Sequence, residues 1–540
     1  MKLSPRYIFG LEDADGAELA LFVVAMGVLL GLAAVGLVDP QLLSVTMNGA
    51  FDWVLKWFGW WFILLGFLLL ILVTALTFSK YGKLRIGGEE ATPDFDTFSW
   101  LSMVFTVGFG ASILIWGVGE PISIANSPPP NMPVSATPGS LALAFMYIHE
   151  VFPGLAMWYL PVGIAFGIIV YTQGVGEYKV GAMLGNLISV EDHRWFHWLV
   201  NLSAIVASIG GIATTLGFSA QTVSSILGGT FGMESMALTY LLFAVIGAVF
   251  LFDIWLGLRS GIRNAARATM ILIGIAMALL VVVGPTLYMF ELGLNATGVW
   301  LSNMFHLMLY TVPGTESTWA GQWTGFWWAW WAAWSIFVGS FVARVSKGRT
   351  IREMFLVLVV APAALTWVQH SLIGAWVLAP GYREPVTAAY TSSGIPAAIS
   401  TALSITPLGN LLAVIFVLVI AGYIITSLDS AVFMVSAITL GDENPNARIR
   451  AWWGVLLAVF GIMSLQLSGF GAIESFAGVL ALPFTVFLLA IVYASYRAAR
   501  EILGETDSSI ITEAKPEKPS QPATNDAEPT DDDGAPTTAD

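Results

Sequence analysis

The sequence predicts an all-α integral membrane protein with twelve transmembrane helices. Three observations carry this. First, of the 540 residues, 57% are hydrophobic and 11% charged, where soluble globular chains run at about 45–50% and about 25%; the mean hydropathy is +0.78. Second, apolar runs of about 18 residues or more, enough for a helix to cross a bilayer, recur along the chain. Third, alternate connections collect the basic residues. Twenty of the 22 Lys and Arg lie on one side of the membrane, with only Lys56 and Arg383 on the other. That distribution follows the positive-inside rule and places both termini in the cytoplasm. The alternating segments of about ten residues that mark a membrane β-barrel do not appear.

The spans follow in order. The first, 17–39, comes after Glu12, Asp13, Asp15 and Glu18. A cleaved signal peptide has a basic start and a shorter core, so this run reads as a retained helix. Next come 52–79 and then 98–125, which carries GFGASILIWGVGEP (108–121). The fourth, 139–172, holds His149 and Glu150. Apolar runs give 195–229, 235–257 and 267–291, and 323–346 is crowded with tryptophan. The rest are 354–379, 408–438, 452–468 and 472–496. Stretches 296–311 and 383–404 are amphipathic and suit the membrane surface. Spans 3–7 and 8–12 form two sets of five. Five is odd, so the second set starts from the opposite face, which is the arithmetic of an inverted repeat. The expected organisation is 1–97 with spans 1 and 2, 98–291 as the first repeat, 292–322 as an extracellular connection, 323–496 as the second repeat and 497–540 as a cytoplasmic tail. From Glu505 onward the tail has ten acidic residues against two lysines and almost no large apolar ones, so disorder is expected.

Several functions are excluded or disfavoured. There is no cysteine, and the five histidines form neither HxH nor HExxH, so no cofactor or zinc site is expected. No Walker motif points to ATP-driven transport. An acidic tail argues against nucleic acid as a partner. An intramembrane enzyme needs a facing nucleophile–base pair, and His149 and Glu150 are chain neighbours. A channel needs a polar stripe through several helices, and few spans have one.

Three segments carry candidate chemistry. WTGFWWAWWAAW (323–334) puts Trp327, Trp331 and Trp334 on one helix face. Trp331 and Trp334 lie about 12 and 16 Å into the span at 1.5 Å per residue. An interfacial belt has no purpose at that depth. Bulky core packing and an aromatic cage for a quaternary ammonium ion both remain open. The glycines at 108–119 fit either close helix packing or an unwound helix exposing carbonyls at a midplane site. TSLDS (426–430) either bonds its own helix or offers hydroxyl ligands to a hard cation. Glu150 is an ionisable group inside a span, open to a structural hydrogen bond or to substrate contact. The basic run FVARVSKGRTIREM (341–354) reads as a solvated inner loop near anionic lipid.

GVGEP, the tryptophan span, ARVSKGRTIRE and TSLDS together resemble the betaine/carnitine/choline transporter (BCCT) family. So do SKYGKLRIGG (79–88), FSWLSMVF (98–105), ATTLGFSAQ (213–221) and VGPTLYMF (283–290). The likeness runs in order from about residue 79 to 496. It implies a LeuT-type fold of two inverted five-helix repeats, a homotrimer in the cell membrane, and uptake of a zwitterionic or cationic solute such as glycine betaine, with sodium as coupling ion. Choline or carnitine uptake, or exchange without sodium, is the alternative. By the same resemblance Trp331, Trp334 and Trp158 take cage positions, with Phe326, Trp327, Trp328 and Trp330 beside them and Gly108, Gly110 and Ser112 at the unwound helix. Sodium would take hydroxyls from Thr426 and Ser427 and carbonyls from Tyr423, Thr106 and Phe109; Thr214 or Thr215 would belong to a second sodium site. Two departures stand out. Ser112 replaces the third glycine of the family's GxGxG, and Glu150 and Leu155 stand where the family's fourth span has tryptophans. The acidic tail also differs from the basic tails of the osmosensing members.

Overall fold

The computed structural model describes residues 4–233, 235–256, 261–464, 467 and 470–505. Among these the chain is helical and has no strand; one isolated bridge pairs Arg85 with Thr350. The part of the expected tail beyond residue 505 lies outside the described residues.

A short helix α1 (Pro5–Phe9) precedes α2 (Gly16–Val38) and α3 (Pro40–Phe78). The acidic residues before the first span cap it. The Asp15 carboxylate accepts from the Glu18 amide at 2.7 Å, and the Glu18 carboxylate accepts from the Asp15 amide at 3.0 Å. Trp53, Trp57 and Trp60 of α3 are exposed in one row, as residues of an interfacial belt are. The third span consists of α4 (Thr97–Phe109) and α5 (Ser112–Asn126), bent by 49°. The fourth consists of α6 (Pro138–Met146), a π turn at Tyr147–Val151, α7 (Gly154–Ala165) and a second π turn at Phe166–Thr172. Then come α8 (Arg194–Phe231), α9 (Met236–Leu256), α10 (Gly261–Val283) and α11 (Thr286–Met308). A π turn at Gly321–Gly325 leads into α12 (Phe326–Val345). After α13 (Ile351–Phe355) and a π turn at Leu356–Val360 come α14 (Ala361–Leu378), α15 (Arg383–Ser404), α16 (Gly409–Leu440), α17 (Ala447–Ser464) and α18 (Phe470–Ile502).

Among the described residues nine helical stretches are long and apolar enough to cross a bilayer, or ten with the bent pair α4–α5 counted as one. The expected twelve is therefore not reached by length and apolarity. Span 139–172 falls short because Phe152 is extended and splits it; span 235–257 is the 21-residue helix α9, and several of its side chains lie outside the described residues. The stretch 296–311 does not form a helix of its own but the second part of α11, which is not among the membrane-length helices. The chain breaks at Gly284–Pro285, and Thr286–Met308 then runs as a single helix with a kink at Asn303.

The core is α12. From Phe326 to Ala343 every side chain is buried, as expected of a helix that is apolar all round. It packs on α7, α8, α16 and α18. Gly339 lets α12 approach α7: a Cβ there would meet the Tyr159 carbonyl and Val162 Cβ at 2.7 Å. The basic run after α12 is tied down rather than freely solvated. Ile86 N–H donates to Arg349 O and Gly348 N–H to Ile86 O, both at 2.9 Å. Lys347 Nζ pairs with Glu443 at 2.6 Å, and Arg349 lies 4.7 Å over the Trp100 ring.

Candidate functional site

Two interruptions and one aromatic helix build the site. At the first, Gly110 takes φ +61°, in the left-handed region. A side chain there would also meet Trp334 Cη2 at 2.5 Å. Glycine is thus required twice over, and the backbone of the third span opens beside the Trp334 ring. The carbonyls exposed by the opening find partners on other helices. Tyr159 Oη donates to Gly108 O at 2.7 Å, and Ser427 Oγ donates to Thr106 O at 3.4 Å. Phe105 and Phe109 stack at 4.7 Å on α4, and Phe105 also meets the Tyr423 ring at 6.5 Å.

The second interruption is at Phe152, after the π turn Tyr147–Val151. Gly154 lies so close to the turn that a Cβ would meet His149 O at 2.0 Å. The carbonyl of His149 accepts from Trp331 Nε1 at 2.8 Å. The His149 ring lies alongside Trp327, with centroids 6.2 Å apart, and edge-on to Trp328 at 5.9 Å.

On α12 the rings of Trp327, Trp330 and Trp331 are near-parallel, with centroids 5.0–5.9 Å apart. Trp334 stands edge-on to Trp331 at 6.4 Å. All four are fully buried. The indole N–H groups of Trp327, Trp330 and Trp334 have no acceptor. Buried donors are rarely left so, which makes these three candidates for a polar ligand. Towards one end of the bundle Phe326 and Trp330 meet Trp116 at 5.7 and 6.3 Å. Trp116 in turn lines a cavity of about 870 Å³ with Gln221, Ser225 and the kinked part of α15 around Gly394.

The expected residues divide. Trp331, Trp334, Gly108 and Gly110 come together at the opening of the third span, and Phe326 and Trp330 form the adjoining layer. Trp158 goes elsewhere: its ring meets Trp328 at 6.1 Å, beside Gly66 of α3. Its neighbour Tyr159 takes the inner place instead, edge-on to Trp331 at 6.4 Å. Nothing in the sequence pattern singled out Tyr159. Glu150 faces α14, where Oε2 lies 3.1 Å from His370 Nε2. The side chain of Ser112 lies outside the described residues.

Of the expected sodium ligands, Ser427 and Thr106 meet directly, and Phe109 closes α4 one residue before Gly110. The Thr426 hydroxyl turns back on its own helix, donating to Gly422 O at 3.0 Å and Tyr423 O at 3.1 Å. On α8, Thr214 donates to Gly210 O at 2.9 Å, and the buried Thr215 hydroxyl has no partner. Gly211 packs α8 against the edge of Trp334.

A helix opened beside an aromatic helix, in a bundle of membrane-length spans, fits a multi-pass membrane transporter, and the family and the names of similar proteins indicate a transporter rather than an enzyme. Similarity to known proteins narrows it. Residues 20–503 match the betaine/carnitine/choline (BCCT) transporter family, and the chain belongs to that family. Among similar proteins, glycine betaine transporter 1 of Vibrio parahaemolyticus is 30% identical over 515 residues, 90% of this chain and 95% of that one. The glycine betaine transporter OpuD of Bacillus subtilis is 27% identical, covering 93% of this chain and 98% of its own. The ectoine/hydroxyectoine transporter of Virgibacillus pantothenticus is 28% identical, covering 87% and 94%.

Proposed function

We propose that the protein is a secondary active transporter of the cell membrane that imports a quaternary-ammonium compatible solute, glycine betaine foremost, in symport with sodium. The observation that carries this is the buried ring set of Trp331 and Trp334 beside the opening at Gly110. A quaternary ammonium ion donates no strong hydrogen bond, so ring faces are its natural partner. Trp334 Nε1, a buried donor without an acceptor, suits the carboxylate at the other end of a betaine.

Sodium would sit beside the contact of Ser427 Oγ with the Thr106 carbonyl, joined by the carbonyls of Phe109 and Tyr423 and by Thr426 after a change of rotamer. A hard cation takes several such oxygens. Thr214 or Thr215 would supply a second site. The Thr426 hydroxyl, bonded within its own helix, favours the other reading as well: exchange of substrate for product, or choline or carnitine uptake, without sodium. Trp158 and Glu150 act on the cage from behind, Trp158 by packing Trp328 and Glu150 by tuning selectivity through the π turn. The distribution of basic residues supports cytoplasmic termini, and family resemblance supports a homotrimer.

Thermal stabilisation of the purified protein by glycine betaine, choline, carnitine and ectoine, with and without sodium, tests the reading. Stabilisation by glycine betaine that grows with sodium is expected. No stabilisation by any of these solutes would sink it.

A further inference from the structure

Four ionisable side chains lie fully buried together outside the aromatic site. Glu120 is on α5, just after the glycine run. His149 and Glu150 are on the π turn of the fourth span, and His370 is on α14. Each is 0% exposed. His149 Nδ1 and Glu120 Oε1 are 2.6 Å apart, and His149 Nε2 and Thr324 Oγ1 are 3.0 Å apart. Glu150 Oε2 is 3.1 Å from His370 Nε2, yet neither atom makes a directed hydrogen bond. Glu120 Oε2, Glu150 Oε1 and His370 Nδ1 likewise have no partner, and neither does the adjoining Gln369 amide. The described residues contain no cluster suited to a metal ion.

We propose that Glu120, His149, Glu150 and His370 form a proton-binding site whose occupancy is linked to solute binding at the tryptophans. Each carboxyl–imidazole pair is neutral with one extra proton and carries −1 without it. Burial makes the −1 state costly, so a proton arriving from water is held between carboxyl oxygen and imidazole nitrogen and leaves when water reaches the pair. Thr324 accepts a hydrogen bond from His149 Nε2–H, or donates one to the bare nitrogen, so the first pair tolerates both states. The second pair, with its partnerless oxygens, is the site that gains or loses the proton.

The link to the aromatic site is short. His149 gives its carbonyl to Trp331 Nε1 and its ring lies along Trp327, so a shift of the π turn moves both rings. Affinity for solute and affinity for the proton must then change together. Few other charged or titratable groups face the cluster. Tyr147 of the same turn is bonded to Ser371 Oγ at 2.6 Å. Tyr159 of α7 is occupied by Gly108. Glu291 and His306 of α11 are exposed. Arg383 of α15 reaches only Ala125 O, at the far end of α5.

The test begins without solute. Infrared difference spectra of the reconstituted full-length protein are recorded across about pH 5 to 9, the range in which imidazole-linked groups change charge. A carboxyl C=O band that titrates in the wild type and is absent from Glu150→Gln is expected. A band that is insensitive to pH, or the same in wild type and Glu150→Gln, overturns the site. The linkage is then read from glycine betaine affinity by tryptophan fluorescence. One linked proton gives up to about a tenfold change per pH unit near the transition, and Glu150→Gln and His370→Gln should each flatten that slope. An unchanged slope in both variants overturns the linkage. If Glu150→Gln fails to fold, loss of the band's pH dependence and of the slope in His370→Gln decides both questions. Absence of glycine betaine binding at every pH would count against the solute assignment and leave the infrared result to judge the proton site.

Discussion

Replacing Gly110 by alanine should disable the site while leaving the bundle folded. The added methyl group meets two obstacles. The backbone holds φ +61° with ψ 177°, a region essentially confined to glycine that costs a residue with a side chain about 1–3 kcal/mol. The methyl would also stand 2.5 Å from Trp334 Cη2 and 3.2 Å from Cζ3. Relieving that contact means moving a fully buried indole, and overpacking of this kind typically costs about 1–3 kcal/mol. Together the penalties come to about 2–6 kcal/mol. Part would be relieved by displacing Trp334 and closing the opening between α4 and α5. If all of it opposes the binding-competent arrangement, the apparent solute affinity falls roughly 30-fold to a thousandfold or more. The assay is glycine betaine binding by tryptophan fluorescence, with the thermal unfolding midpoint measured alongside. Gly117→Ala is the control: it lies on the same span, has no left-handed backbone, and its nearest neighbour would be Ile373 Cγ2 at an ordinary 3.5 Å. Gly110→Ala binding glycine betaine within about threefold of wild type would refute the role given to this opening.

Trp331→Ala should weaken glycine betaine binding by roughly 30-fold, since a desolvated cation–π contact contributes about 2 kcal/mol; Trp331→Phe should lose less, and binding isotherms of the two variants decide. Ser427→Ala should raise the sodium concentration for half-maximal uptake while Thr439→Ala, whose hydroxyl is bonded to Val435 O within α16, should not; sodium titration of uptake separates them. Beyond the end of α18, Lys80 pairs with Glu505 at 2.5 Å and, with the Tyr81 hydroxyl, holds the Glu505 carboxyl below its ordinary range. A lowered carboxyl pKa stabilises above the unfolded value, and the contribution disappears as pH falls through the folded one. The melting midpoint of wild type should therefore drop towards that of Glu505→Gln on acidification, by a small amount because Lys80 is largely exposed; parallel curves at all pH values would remove the contact.

The class of fold and the two ends of the site were legible because they rest on local pattern. Gly108 and Gly110 in an apolar span announce an interruption, and the tryptophans at 327, 331 and 334 share a face by helical spacing alone. The fourth span was harder. Spacing at 3.6 residues per turn fails across a π turn, which admits an extra residue and rotates the rest of the helix about its axis. The place given to Trp158 rested on resemblance; beyond the turn at Tyr147–Val151 and the extended Phe152 it is Tyr159 that meets Trp331, while Glu150, within the turn, faces α14. Glu120 and His370 were not legible as partners of His149 and Glu150, since a contact between residues 29 or 220 positions apart leaves no trace in one sequence. The same holds for the basic run after α12, where pairing with Ile86 replaces the expected solvated loop.

Uptake of radiolabelled glycine betaine into proteoliposomes, with and without an inward sodium gradient, is the most direct measurement. Saturable accumulation above the external concentration, dependent on the gradient and lost in Trp331→Ala, is the expected result. Flux that does not saturate, or that is the same in wild type and Trp331→Ala, would contradict solute transport through the tryptophan site.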